Sequence, residues 1–122
     1  MIGWASTSRA GPEAMARLTS DFWVGAYLAR LRLADIPAFV VSKGDPDAGA
    51  VLVKLNRLNG EAVAYSRAYG PDGERVWAVL AEGAERDVDA ALARQRGFDP
   101  DLWLIEVEDR AGRHMLDEEG LG

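Results

Sequence analysis

Between Ala50 and Tyr69 the chain alternates closely enough to decide its fold class. Val51, Val53 and Leu55 alternate with Leu52, Lys54 and Asn56; beyond Asn59-Gly60, Ala62, Ala64 and Ser66 alternate with Val63, Tyr65 and Arg67. A period of two sends successive side chains to opposite faces of a strand. Asn-Gly is a two-residue turn in which both positions tolerate positive φ. The segment therefore predicts two strands, Ala50–Arg57 and Glu61–Tyr69, joined by a type I′ turn. A hairpin of this kind excludes an all-helical chain and speaks against a parallel βαβ core.

The other elements follow from the same reasoning. Ser20 to Leu33 reads as a helix: Thr19 or Ser20 can accept hydrogen bonds from first-turn amides, Asp21 suits the positive end of the dipole, and Pro37 forbids continuation. Ala38–Ser42 is a short apolar strand, followed by a Gly-, Pro- and Asp-rich loop over Lys43–Gly49. Pro71-Asp72-Gly73 turns the chain into a strand at Arg75–Leu80. Glu85–Arg96 is a second helix, with Gly97 at its C′ position and Pro100 just beyond. Leu102–Val107 is the last strand, and Arg113–Leu116 can pair briefly after the turn at Asp109–Gly112. The order is α-β-β-β-β-α-β. It predicts an α+β fold, a mostly antiparallel sheet of about five strands with two helices packed on it. Residues 1–14 read as a flexible N-terminal tail, with Met15 an alternative start, and 15–122 as a single domain. A chain of 122 residues is long enough to bury a core without staples.

Composition narrows the chemistry. With no cysteine there is no disulfide, thiolate metal site or cysteine nucleophile. The net charge is −6, and residues 62–122 hold fourteen acidic residues against seven arginines. A phosphate backbone is repelled by that half, so no nucleic acid is expected as a partner. No apolar run approaches the ~20 residues of a membrane span, and the first fourteen residues are not a signal peptide, so no membrane partner and a cytoplasmic location are expected. Neither phosphate-binding glycine motif occurs, and no cofactor is expected.

Four segments together carry a resemblance. They are Arg17-Leu-Thr-Ser-Asp-Phe-Trp23; Gly44-Asp-Pro-Asp-Ala-Gly49 running on through Arg57; Arg94-Gln-Arg-Gly-Phe-Asp-Pro-Asp-Leu-Trp103; and Glu106-Val-Glu-Asp-Arg-Ala-Gly-Arg-His114. Over residues 15 to 116 the chain resembles the bacterial family called domain of unknown function 1491. The resemblance implies a small stand-alone cytoplasmic protein and attaches no activity to it.

Several constellations are candidates for a site. Asp45-Pro-Asp47 and Asp99-Pro-Asp101 are acidic pairs that hard cations favour, though the same pattern also builds turns. The alternative reading is a small enzyme or ligand binder with an acidic, metal-assisted site built from these four residues; it gains if the two loops converge within a few ångströms and fails if they sit at opposite ends of the sheet. His114, the only histidine, can in principle be oriented by Glu106, Glu108 or Asp109 towards Ser20 or Ser42, but no nucleophile motif links them. Glu106 and Glu108 share a strand face, and Arg30, Arg32 and Arg57 form at most a small basic patch. The aromatic set Trp23, Tyr27, Trp77 and Trp103 is large for the length. The first helix is apolar on most of its circumference: Phe22, Ala26, Ala29 and Leu33 form one stripe, Val24, Leu28 and Leu31 another, Trp23 and Tyr27 a third. The preferred reading is a non-enzymatic binding or interaction protein, self-associating as a homo-oligomer through this helix or a sheet edge, with Trp23 and Tyr27 at the contact.

Overall fold

Helix α1 runs from Ser20 to Leu33, with the bounds read from the sequence. The structure, a computed structural model, describes residues 18–117; the expected tail over residues 1–14 lies outside them. The helix buries one stripe, Trp23, Val24, Tyr27 and Leu31, at the spacing of a single helical face. Its first amides are satisfied from an unexpected quarter. Thr19 makes no side-chain cap; its hydroxyl donates to the Asp21 carboxylate. The Ser20 and Asp21 amides instead donate to the carbonyls of Asp47 and Pro46, 3.1 and 2.9 Å away. The loop after the first strand thus closes the helix.

The strands are β1 (Ala38–Ser42), β2 (Val51–Asn56), β3 (Glu61–Tyr69), β4 (Arg75–Ala84) and β5 (Trp103–Glu108), with helix α2 (Glu85–Phe98) between the last two. The chain order is the expected one, and the fold is α+β. The sheet order is β1-β5-β2-β3-β4. Every neighbouring pair is antiparallel except β2 and β5, which run parallel with Lys54 beside Glu106. The long return through α2 makes that parallel contact possible.

β2 lies at the centre and is buried on both faces. Val51, Val53 and Leu55 pack with Ile105, Val107 and the buried stripe of α1; Leu52 packs with Leu104, Ala62, Ala64 and the α2 residues Val88 and Leu92. The helices therefore cover opposite faces of one sheet, and two apolar layers meet across it.

Two local expectations need correction. The β2–β3 connection is not a type I′ turn, since the positive-φ residues are Leu58 and Gly60, not Asn59. Side-chain acceptors explain this. Asn56 Oδ1 takes the Leu58 amide and Asn59 Oδ1 the Glu61 amide, so two Asx turns build a longer loop. Gly97 is not the αL cap of α2. The helix continues to Phe98 and ends at an extended Asp99, which suits the residue before Pro100.

Candidate interaction surface

The two Asp-Pro-Asp loops do converge, but through their backbones. The Asp45 amide donates to the Asp101 carbonyl at 3.0 Å, and the Trp103 indole donates to the Asp45 carbonyl at 2.7 Å. Approach is so close that a Cβ at Gly44 or Gly49 would overlap the Asp101 carbonyl oxygen. The carboxylates turn elsewhere. Asp45 caps the Ala48 amide and Asp99 caps the Asp101 amide, while Asp47 and Asp101 are exposed. Among the described residues no group of three acidic or histidine side chains is placed to hold a metal ion. The convergence braces a loop that in turn caps α1, which is what Asp and Pro commonly do in turns.

The serine–histidine arrangement does not form. Ser20 donates its hydroxyl to the Gly49 carbonyl, and Asp109 binds Arg113. His114 Nδ1 accepts the Leu116 amide at 2.9 Å, and the ring lies 4.7 Å from that of Tyr65. Together with Arg75, Val76, Trp77, Leu116 and Asp117 these two rings line a cleft of about 310 Å³. Burial holds the His114 pKa below its ordinary value, partly opposed by the charge of Asp117. The sign follows directly. The unfolded chain takes up this proton at higher pH than the folded one, so stability falls as pH drops below about 6.5. Protonation at Nδ1 would also remove the acceptor for Leu116. A His114→Asn variant keeps an acceptor that does not titrate. Its melting temperature should fall less than that of the wild type between pH 7 and pH 5, as read by thermal denaturation at both values.

Lys54 is the polar residue the sequence reading undervalued. It is only 4% exposed, yet it stands in the middle of β2. Its ammonium reaches Glu85 at 2.7 Å, Asp89 at 2.8 Å and Glu106 at 3.5 Å. Asn56 Nδ2 donates to both Glu85 and Glu106. The cluster ties β2, β5 and the first turns of α2 together. Its signal was Lys54 on the same strand face as Leu52 and Asn56, but the carboxylates come from a parallel neighbour and a distant helix. Of the noted pair, Glu106 enters this cluster. The three arginines are spread over two elements: Arg30 and Arg32 close α1, and Arg57 follows β2.

Trp23 and Tyr27 lie inside. Their rings stack at 4.9 Å, Trp77 stands 5.4 Å from Trp23, and the Arg67 guanidinium lies 4.6 Å above Trp77. Tyr27 is fully buried, and its hydroxyl donates to the His114 carbonyl at 2.6 Å. The sheet face that receives α1 covers both rings, so a contact made by this helix falls to other side chains. Among the described residues the stripe left uncovered is Phe22, Ala26, Ala29 and Leu33.

The second uncovered apolar surface is β1. Among the described residues it pairs only with β5 and forms one edge of the sheet. Phe39, Val40 and Val41 are all exposed, with Phe39 at 47%. The Pro37 carbonyl accepts the Glu108 amide, so in the antiparallel ladder Pro37 and Phe39 face β5. Ala38 and Val40 therefore aim their N–H and C=O groups outward. The one residue without an N–H falls on the paired side, and the free edge loses no donor. A register shift between Val40 and Ser42 ends the regular stretch.

Comparison with known proteins agrees with this architecture. The family model described as "Protein of unknown function (DUF1491)" matches residues 18–117. A crystal structure of a DUF1491 family protein from Caulobacter crescentus CB15 is 46% identical, covers 83% of this chain and 96% of its own, and has a TM-score of 0.75. An NMR structure of a DUF1491 family protein from the same organism is 45% identical, covering 84% and 94%, with a TM-score of 0.72. The solution structure of protein Atu0922 from A. tumefaciens is 32% identical, covering 75% and 86%, with a TM-score of 0.65. No curated protein matches.

Proposed function

The chain belongs to the DUF1491 family, and from that premise we propose that it is a non-enzymatic interaction protein of the cytoplasm that binds an extended segment of a partner protein along β1. One observation carries the reading: an edge strand with outward-facing backbone groups at Ala38 and Val40 and three successive exposed apolar side chains. Soluble proteins usually blunt such an edge with charge, proline or a covering loop. Here the strand itself carries no charge, and only the register shift shortens it. Strand addition would supply main-chain hydrogen bonds, while Phe39, Val40 and Val41 would give apolar contacts on both faces. Lys43, exposed just past the strand, favours an acidic residue at the matching end of the partner. No helix among the described residues is long and apolar enough to cross a membrane, in keeping with this reading. The Asp-Pro-Asp loops meet through backbone groups, Asp45 and Asp99 are engaged in their own turns, and among the described residues no three side chains are grouped to hold a metal ion, so the acidic, metal-assisted alternative is less favoured.

A suitable probe is a synthetic peptide of Leu102–Glu108, the sequence that β1 already pairs with on its inner edge. Fluorescence anisotropy of the labelled peptide should show saturable binding to the protein. Val40→Lys should weaken it about tenfold or more while leaving the melting temperature within a few degrees, since Val40 is exposed. A peptide that does not bind, or binds Val40→Lys equally well, contradicts the reading.

A further inference from the structure

We propose that two copies of this chain pair through the outer faces of α1, antiparallel and related by a twofold axis. The inference goes beyond the strand-edge reading and uses a different element. Phe22, Ala26, Ala29 and Leu33 are spaced four, three and four residues apart, so they form one stripe on the side of α1 away from the sheet. Phe22 is 61% exposed and Leu33 86%.

The stripe is complementary to itself. In an antiparallel pair that sets Phe22 opposite Leu33 of the second copy, Ala26 falls opposite Ala29 of the second copy, and the converse contacts follow by symmetry. Large side chains then meet at both ends and small ones in the middle. Gly25 widens the middle, since even a Cβ there would touch nothing among the described residues. Small residues at the crossing allow helix axes to approach to about 8 Å.

Charge agrees with the same orientation. Asp21 adjoins Phe22 in the first turn, and Arg32 adjoins Leu33 in the last. Antiparallel packing brings each Asp21 next to Arg32 of the second copy. It also sets the positive end of each helix dipole against the negative end of the other. A parallel pair would set like charges together.

Sedimentation equilibrium over a wide concentration range tests the proposal. The wild type should show a reversible monomer–dimer equilibrium. Ala29→Lys, at an exposed helical position that tolerates Lys, should raise the dissociation constant about tenfold or more and leave the circular dichroism spectrum unchanged; Ala26→Lys serves as an independent second variant. Asp21→Arg and Arg32→Asp should each weaken the dimer, and the two together should restore much of it. A wild type that stays monomeric at the highest concentration reached overturns the proposal. So does a dimer unaffected by both lysine variants, or a double charge variant no tighter than either single one. A monomer that still binds the β1 peptide overturns this inference alone.

Discussion

Lys54→Ala is expected to cost about 3 kcal/mol of folding stability, measured as the shift in chemical denaturation of variant against wild type. The substitution leaves Glu106, Glu85 and Asp89 facing one another without the cation that joins them. Removing one partner of a buried ion cluster typically costs about 3–5 kcal/mol. The lower end applies here, because Glu85 and Asp89 reach solvent and are partly screened. Lys54→Met should recover only the packing of the stem. Adding Glu106→Leu to Lys54→Met should restore stability, because the double variant removes both the cation and its most buried partner. Burial by itself would lower the Lys54 pKa, but hydrogen bonds to Asp89 and Glu85 and the charge of Glu106 outweigh it and hold the pKa above the usual lysine value. The stabilisation carried by the Lys54 charge is therefore fully present from neutral pH up to about 10.4 and declines as pH rises beyond it. In Lys54→Met that alkaline decline should be smaller.

Trp23→Ala should cost about 3–5 kcal/mol, the usual price of emptying a large aromatic site in a packed core. Trp23 lies between Tyr27 and Trp77 and is only 8% exposed. The indole N–H is buried and has no hydrogen-bond partner among the described residues. Trp23→Phe therefore drops an unsatisfied donor along with some volume, and its cost should be nearer 1 kcal/mol. Differential scanning calorimetry of the two variants separates the volume effect from the polar one. If Trp23→Ala left the melting temperature within a degree of the wild type, the ring would not be part of the core. A core role also means that Trp23→Phe should not change the association constant of the α1 dimer.

Most of the fold was legible because it depends on local pattern. The period of two in β2 and β3, the turn at Pro71-Asp72-Gly73 and the proline after α1 each act within a few residues. Elements built from them took the expected type and order. What could not be read depends on pairing at a distance. Lys54 and Glu106 become neighbours only because β5 returns parallel to β2 after a helix, and nothing local announces that register. The same is true of the α1 cap, where the amides of Ser20 and Asp21 find carbonyls some 26 residues further along. The helical stripes of α1 were all visible in the sequence. Which of them faces inward was decided by the sheet, and it chose the stripe with Trp23 and Tyr27 over the stripe with Phe22 and Leu33. Aromatic size favoured that outcome, since the larger rings bury more apolar area in the two-layer core. The edge position of β1 likewise depends on the full strand order.

Residue-resolved amide hydrogen exchange, with and without the Leu102–Glu108 peptide, tests the strand-edge account most directly. In the free protein the Ala38 and Val40 amides should exchange quickly and the Phe39 amide slowly, since of the three only Phe39 directs its N–H at β5. With peptide added, exchange at Ala38 and Val40 should slow to the rate of the paired strand residues. If those two amides keep their free rates at saturating peptide, or protection appears at β4 instead, β1 is not the binding edge.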